Sequence, residues 1–294
     1  ISLRNRMLLH ETMSMPGLSG GVRTTLLFML IVFAIELIGS LLLAIHFIPM
    51  YGVAKGLYFG VFHAVSAFCN AGFDLFAQAG SLTQFRADPL VLMTISLLIV
   101  LGGIGFAVIA DVLAHRGRLR RVSLHTKLVL TMTGVLLIGG LALFAAMEWH
   151  NPATLAREGA GTGEKLLNAW FQSVTTRTAG YFSFQQAPMT DASKFVSTVL
   201  MFIGASPAST GGGVKTSTFF VVLMVIASIV AGRQDINIYR KRVPASLGRT
   251  AQSILFMYLA LLTLGALLLT VFEGGKGFSF LDMLFEEASA LGTV

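Results

Sequence analysis

The sequence predicts an all-α membrane protein with several crossings, built from repeated units of long helix, short helix and long helix. Of its 294 residues, 55% are hydrophobic and only 12% are charged, whereas soluble domains carry about 25% charged residues. A spanning helix takes about 20 apolar residues, and stretches of that length recur along the chain. This pattern excludes an ordinary soluble protein and predicts a multi-pass location in the lipid bilayer of a cell membrane.

The long helices are predicted from apolar stretches bounded by charged or turn-forming residues. They are Leu26–Phe47, Pro89–Leu113, Leu128–Met147 and Ile254–Phe272. A fifth apolar region, Lys194–Gly232, is too long for one straight crossing. Pro207 interrupts it because proline lacks the N–H that a helix needs, and the glycines 211–213 favour non-helical backbone. We therefore expect two half-helices joined by a loop within the membrane.

The short helices, Tyr58–Phe68, Lys165–Thr175 and Phe280–Ala290, reach only about halfway across a bilayer and are expected to be re-entrant. Lysine and arginine in short loops mark the cytoplasmic side. They cluster in three segments: Arg4, Arg6 and Arg23; Arg116, Arg118, Arg120, Arg121 and Lys127; Arg233, Arg240, Lys241, Arg242 and Arg249. All three segments face the cytoplasm only if the short helices enter and leave on one side. The net charge of +7 is thus an orientation signal, and no nucleic-acid partner is expected.

The ends of the short helices align as an internal repeat. The aligned segments are Ser66–Phe73, Val174–Tyr181 and Ser289–Val294. The repeat predicts four units along the chain: the end of a preceding repeat with a linker (1–22), a second repeat (23–122), a third with a broken second helix (123–240), and an incomplete fourth (241–294). Four such copies would close a ring.

The aligned turns have the composition of an ion pathway. Non-helical backbone at membrane depth is tolerated only where it is buried in protein or lines water. The small residues and glycines of Asn70–Gly72 and Thr178–Gly180 let carbonyl oxygens turn inward towards a cation. Each short helix also directs the negative end of its dipole, about half a charge, towards the turn. The sequence therefore favours cations over anions there.

Four segments together resemble one transporter superfamily: FHAVSAFCNAGF, TTRTAGY, SALGTV and GASPASTGGGVKTSTF. They are similar to the second, third and fourth repeats of the Trk/Ktr/HKT potassium transporters, most of all the KtrB/TrkH-type membrane subunit. The resemblance implies a pseudo-fourfold pore, a homodimer and a cytosolic ring of nucleotide-binding RCK domains. It also implies that a first repeat and a last helix lie outside this chain.

The resemblance assigns a selectivity filter, whose segments we call the filter turns. They comprise Cys69, Asn70, Ala71 and Gly72; Arg177, Thr178, Ala179 and Gly180; and Gly292, Thr293 and Val294. Potassium is expected at the carbonyls of Asn70, Gly72, Thr178, Gly180 and Thr293. The resemblance further implies a gating loop below the filter, which we call the intramembrane loop. It comprises Gly204, Ala205, Ser206, Pro207, Ala208, Ser209, Thr210, Gly211, Gly212 and Gly213, with Lys215 beside it.

Several residues admit two interpretations. Asn70 and Thr178 contribute either carbonyls to the filter or side chains to local backbone. Arg177 is expected to clamp the filter from behind, with Glu286 or Glu287 neutralising its charge. Lys215 either holds the intramembrane loop or anchors a half-helix at the membrane surface.

Two further sets of residues are assigned to packing. Cys69 is the only cysteine, so the chain can form no internal disulfide. Its side chain is expected to be a small packed group. Gly102, Gly103 and Gly105 are expected to let helices pack closely.

The sequence thus predicts uptake of potassium, alone or together with sodium, across what the resemblance implies is a bacterial plasma membrane. Transport is either passive or sodium-linked, and no bound cofactor and no enzymatic activity are expected. One alternative is a membrane-embedded hydrolase, which would need paired acids, serine with histidine, or a metal cluster at membrane depth. His46, His63, His115, His125 and His150 are dispersed near span ends, which disfavours it. The other alternative is a non-conducting, channel-like scaffold.

Overall fold

A computed structural model describes residues 21–76, 80–232, 236–238 and 241–294. Its helices are α1 (Gly21–Tyr51), α2 (Val53–Phe68), α3 (Pro89–Ile104), α4 (Phe106–Ala114), α5 (Leu124–Glu148), α6 (Thr162–Thr175), α7 (Asp191–Phe202), α8 (Thr216–Val230), α9 (Ala245–Glu273) and α10 (Phe280–Gly292). A 3-10 turn covers Thr83–Phe85, and the strands β1 (Ile236–Ile238) and β2 (Lys241–Val243) form an antiparallel hairpin. The predicted all-α class is confirmed apart from this hairpin. Predictions for residues 1–20, Arg233 and Arg240 lie outside the described residues.

Three of the predicted long helices and all three predicted short helices are present. Helices α1, α5 and α9 have the length and hydropathy of membrane-spanning segments. Helices α2, α6 and α10 occupy the three predicted short stretches, each a few residues longer than expected. The break in Lys194–Gly232 is also confirmed, because α7 ends at Phe202 and α8 begins at Thr216.

Side-chain caps fix where several helices begin. Ser123 accepts a hydrogen bond from the Thr126 amide, and Thr190 accepts one from the Ser193 amide. Ser279 forms a capping box with Asp282 at the start of α10. Each cap satisfies amides that the first turn of a helix leaves without partners. The starts of α5, α7 and α10 are therefore fixed by local sequence.

The predicted continuous span Pro89–Leu113 is wrong, because the helix breaks at Gly105. The axes of α3 and α4 differ by 93°, and Gly105 has a φ of 97°, which favours glycine. The flanking sequence is apolar throughout, so hydropathy does not reveal the break. Backbone partners from the intramembrane loop, described below, make it possible.

The main buried core is formed by α1, α2 and α3 together with the segment that connects α2 to α3, and residues of α5 and α6 complete it. Phe47 of α1 lies 5.7 Å from Phe76 and 5.4 Å from Phe85 between ring centroids. The opposite face of α1 leaves large apolar side chains exposed, with Leu30 at 68% and Phe33 at 64%. Such a face suits contact with lipid or with another membrane helix.

Candidate functional site

The ends of α2, α6 and α10 converge, so the filter turns of the three repeats lie side by side. A Cβ atom added to Gly72 would lie 2.6 Å from the Ala179 carbonyl oxygen and 3.1 Å from the Gly180 Cα atom. A Cβ atom on Gly180 would lie 3.2 Å from the carbonyl carbon of Val294. The turns therefore approach one another through backbone, with little room for side chains at either glycine.

The three turns share one backbone conformation in the predicted register. Asn70, Thr178 and Thr293 have left-handed φ values of 52°, 68° and 58°. Gly72 and Gly180, two positions later, have φ values of 71° and 78°. A left-handed threonine is uncommon because its side chain is β-branched, and such strain of about 1–3 kcal/mol is concentrated at functional sites.

One amide of each filter turn is hydrogen-bonded to its own short helix, whereas several carbonyl oxygens of the turns have no donor. The amide at the same position of each turn donates to the end of its own short helix: Ala71 to Ser66 (2.9 Å), Ala179 to Thr175 (3.0 Å) and Val294 to Ser289 (2.9 Å). Within the described residues, no donor reaches the carbonyl oxygens of Asn70, Gly72, Thr178, Gly180 and Thr293. The turns therefore present hydrogen-bond acceptors without donors, which is the arrangement that a cation requires.

Hydroxyl groups mark the outer limit of these free carbonyls. The Phe73 carbonyl accepts hydrogen bonds from Ser66 Oγ at 2.8 Å and Tyr181 Oη at 2.9 Å. The Tyr181 carbonyl accepts one from Thr175 Oγ1. Both carbonyls are thus engaged by protein donors. Sequence reasoning missed the roles of these hydroxyls, although Ser66 and Thr175 lie in the last turns of their helices.

His63 supports the extended segment that follows the first filter turn. Sequence reasoning missed this role as well. It is fully buried, its Nε2 atom accepts a hydrogen bond from the Leu75 amide at 3.2 Å, and its ring stacks on Phe76 with centroids 4.4 Å apart. Because Nε2 accepts, Nδ1 carries the proton and donates to the Phe59 carbonyl at 2.7 Å. His63 is therefore a neutral ring that fixes backbone on both sides.

The intramembrane loop contacts the first filter turn by a hydrogen bond. Thr210 Oγ1 lies 3.0 Å from the Phe68 carbonyl oxygen and 3.1 Å from Asn70 Oδ1. Asn70 Nδ2 in turn donates to the Arg177 carbonyl and to Thr178 Oγ1, both at 3.1 Å. The side chain of Asn70 is thus hydrogen-bonded, and its carbonyl has no donor within the described residues. The two interpretations of Asn70 are therefore compatible with each other.

The next two loop residues pack against the other two filter turns. A Cβ atom on Gly211 would lie 2.1 Å from Thr178 Oγ1, and one on Gly212 would lie 2.5 Å from Thr293 Oγ1. Successive residues of the loop, Thr210, Gly211 and Gly212, therefore each face the same repeat position of a different turn.

The intramembrane loop and the break at Gly105 supply each other's backbone partners. Hydrogen bonds run from Ser206 N to Gly103 O (3.0 Å), from Thr210 N to Gly102 O (3.4 Å) and from Phe106 N to Ala208 O (3.1 Å). The end of α3 and the start of α4 would otherwise leave these groups unpaired at membrane depth. Each break therefore stabilises the other.

The glycines of this region divide into two roles. A Cβ atom on Gly102 would lie 1.9 Å from the Phe68 carbonyl oxygen, so the predicted close packing of α3 on α2 is confirmed there. Gly105 does not pack two helices: a Cβ atom there would lie 2.7 Å from the Pro207 carbonyl oxygen of the loop. For Gly105 the prediction is wrong, because its positive φ makes it the point of the bend.

Lys215 directs its charge at the intramembrane loop. Its Nζ atom donates to the Gly211 carbonyl at 2.6 Å. The loop is closed at its base by a hydrogen bond from the Ala205 amide to the Gly212 carbonyl at 3.1 Å. Of the two interpretations, the contact is the one expected of a lysine that holds the loop.

Arg177 is buried and binds backbone instead of an acid. Its Nη1 atom donates to the Ile203 carbonyl at 2.6 Å, so it clamps the end of α7 behind the filter turn. The predicted partners are wrong: Glu287 packs against Gly265 of α9, and Glu286 lines a cavity beside Lys194.

The last points concern Cys69 and the possibility of a metal site. Cys69 is exposed, so its predicted packing is wrong; it caps the end of α2, and its side chain lies outside the core. Over the parts of the chain that the structure describes, no group of three or more His, Cys, Asp or Glu residues could hold a metal ion.

Comparison with known proteins gives one family match. The TrkH family, described as "Cation transport protein", matches residues 9–294. The chain is 37% identical over 296 residues to Ktr system potassium uptake protein B of Bacillus subtilis. It is 36% identical over 295 residues to potassium/sodium uptake protein NtpJ of Enterococcus hirae. All of this chain is covered in both matches, but it spans only 64% of the length of each relative.

A solved structure has the same fold. The crystal structure of the potassium transporter TrkH from Vibrio parahaemolyticus superposes with a TM-score of 0.72 at 13% sequence identity. The match covers 98% of this chain and 59% of the other. At this identity the likeness establishes the helical architecture alone.

Proposed function

Because this chain belongs to the TrkH family of cation transport proteins, we propose that it forms most of the pore of a potassium uptake protein. The observation that carries the proposal is the set of aligned turns with unpaired carbonyl oxygens, described above. Such oxygens replace the water that a cation sheds when it enters a narrow pore. The two relatives are named for uptake of potassium and of potassium and sodium, so the proposed ion is potassium, alone or with sodium.

Electrostatics support a cation in the filter. The short helices α2, α6 and α10 all end at the filter turns. The carbonyl end of a helix carries about half a negative charge, which attracts cations and repels anions. The nearby guanidinium of Arg177 points away towards Ile203, which limits its repulsion of a permeant ion.

The intramembrane loop is the proposed gate. It lies against all three described turns through Thr210, Gly211 and Gly212. A backbone segment in this position obstructs the path of an ion that leaves the filter. The contact of Lys215 with Gly211 gives the loop a defined closed position.

The remaining parts of the proposal concern assembly. Three turns in one register support a pseudo-fourfold ring with a fourth turn from the complete protein, and they support the repeat boundaries given above. The exposed Arg116, Arg118, Arg120 and Arg121 form a basic cytoplasmic surface for a ring of nucleotide-binding RCK-type subunits. We propose a homodimer in a bacterial plasma membrane.

Sidedness of this surface can be tested separately. Arg118→Cys, with Cys69 replaced first, should resist an impermeant thiol reagent that is applied outside intact cells, because the positive-inside rule places this loop in the cytoplasm. The reagent should react after the membrane is permeabilised. Labelling of intact cells would contradict the proposed orientation.

Ion flux distinguishes transport from the alternatives. The full-length protein in lipid vesicles should take up rubidium, a substitute for potassium, and unlabelled potassium should compete better than sodium. Empty vesicles and vesicles carrying an unrelated membrane protein are the controls. A well-folded protein that moves no rubidium, with or without its cytosolic subunit, would indicate a scaffold, and hydrolytic activity without flux would indicate an enzyme.

A further inference from the structure

We infer that the Asn70 side chain couples the filter to the intramembrane loop, so that loop opening alters ion preference as well as flux. This inference rests on the proposed gating role of the loop. It assigns Asn70 and Thr210 a joint positioning role, in addition to any carbonyl that Asn70 gives to the pore.

The orientation of the Asn70 amide follows from its partners. The Arg177 carbonyl can only accept a hydrogen bond, so Nδ2 must face it. The Oδ1 atom therefore faces Thr210 Oγ1, which donates. Asn70 is only 6% exposed. One buried amide thus joins the first filter turn, the second filter turn and the loop.

The other two repeats lack an equivalent contact. At the position of Asn70 they carry Thr178 and Thr293, and these face Gly211 and Gly212, which have no side chain to bind. A hydrogen bond between loop and filter is therefore made at one of the three described turns. The Asn70–Thr210 hydrogen bond is therefore not repeated at the other two described turns. We call this pair the latch.

Opening of the loop must disturb this latch. The one hydroxyl proton of Thr210 is shared between Asn70 Oδ1 and the Phe68 carbonyl, so movement of Thr210 takes the donor from both acceptors. The freed amide can then rotate, and its hydrogen bonds to Arg177 and Thr178 are no longer fixed. Those bonds set the spacing of two filter turns. Coupling between binding equilibria is reciprocal, so an ion that fits the closed-state filter should also favour the closed loop.

Three variants test the latch by rubidium flux and sodium competition in the full-length protein. Thr210→Val keeps the shape but removes the hydroxyl; we expect flux to rise by roughly two- to tenfold, the usual effect of one hydrogen bond, and rubidium preference over sodium to fall. Thr210→Ser keeps the hydroxyl and should resemble the parent. Thr263→Val is the matched control, since its hydroxyl donates to the Leu259 carbonyl within α9, and it should keep the parent's flux and ion preference.

A labelling experiment tests reciprocity without relying on altered flux. Ser209→Cys, in a protein with Cys69 replaced, is exposed to a thiol reagent from the cytosolic side. Potassium should slow labelling relative to a large organic cation, and adding Thr210→Val should abolish this difference. The amount of protein inserted in the membrane is measured for each variant, so that a folding defect of the valine variant is recognised.

The outcomes separate this inference from the proposed gate. If deletion of Ala208–Gly212 raises flux while Thr210→Val keeps the parent's ion preference and its potassium-dependent labelling, the loop is a gate and the latch is wrong. If neither variant raises flux, the gating proposal itself fails.

Discussion

The filter turns of the second and third repeats share one backbone conformation, but the helix that follows each turn is interrupted in a different way. In the second repeat a single residue, Gly105, separates α3 from α4. In the third repeat, residues 203–215 separate α7 from α8. A one-residue break bends a helix, whereas the longer break places a whole loop against the three filter turns. One architecture thus produces a fixed support in one repeat and a candidate moving part in the next.

The largest effect is expected when the longer break is shortened. Deletion of Ala208–Gly212 in the full-length protein should raise rubidium flux by more than about tenfold, because several loop contacts, each worth about 0.5–1.5 kcal/mol, are lost together. Uptake into vesicles, normalised to the amount of inserted protein, measures the effect. If a normally inserted deletion variant has unchanged flux, the longer break does not act as a gate and serves only as structure, like the break at Gly105.

The second prediction concerns the feature that the repeats share. Gly72→Ser should lower the preference for rubidium over sodium by about tenfold, because the added Cβ meets the Ala179 carbonyl at 2.6 Å and the φ of 71° costs about 1–3 kcal/mol in other residues. Flux competition between sodium and rubidium measures it.

Gly139→Ser in α5 is the control for this substitution, since no atom lies within 4 Å of the added Cβ. The cation ranking of this variant should match the parent's. If the two serine variants rank cations alike, Gly72 does not belong to the filter.

The smallest effect is expected at the short break. Gly105→Ala should raise flux by only a fewfold, because the methyl group would lie 2.7 Å from the Pro207 carbonyl and displace the loop without removing it. Gly103→Ala, whose added Cβ would lie 3.6 Å from its nearest neighbour, should behave like the parent. Equal behaviour of the two alanine variants would mean that the short break does not support the loop.

The sequence predicts the two breaks with unequal success. Pro207 and the glycines 211–213 mark the longer one, because they exclude a helix on local grounds. Gly105 lies in an apolar run where glycine usually packs helices, and its bend depends on partners about 100 residues away, such as Ala208. The longer break is therefore determined by local sequence, whereas the break at Gly105 depends on tertiary contacts.

The filter shows the same division between local and distant information. Alignment of the short helices places Asn70, Thr178 and Thr293 in one register, and all three share a left-handed φ. The partner of Arg177 was not predictable, because an arginine near two acids suggests an ion pair, while the register of α10 turns those acids elsewhere. The contacts of His63 and Thr210 likewise depend on carbonyls and amides that a sequence does not locate.

The mutual pairing of the two breaks has a consequence for the open state. When the loop leaves, the carbonyl oxygens of Gly102 and Gly103 and the amide of Phe106 lose their donors and acceptor together. Bare backbone groups in an apolar setting cost several kcal/mol, so water must enter as the loop departs. Opening is then accompanied by uptake of water that hydrates these backbone groups. We expect the open fraction to fall when impermeant osmolytes lower water activity, even if no ion gradient changes.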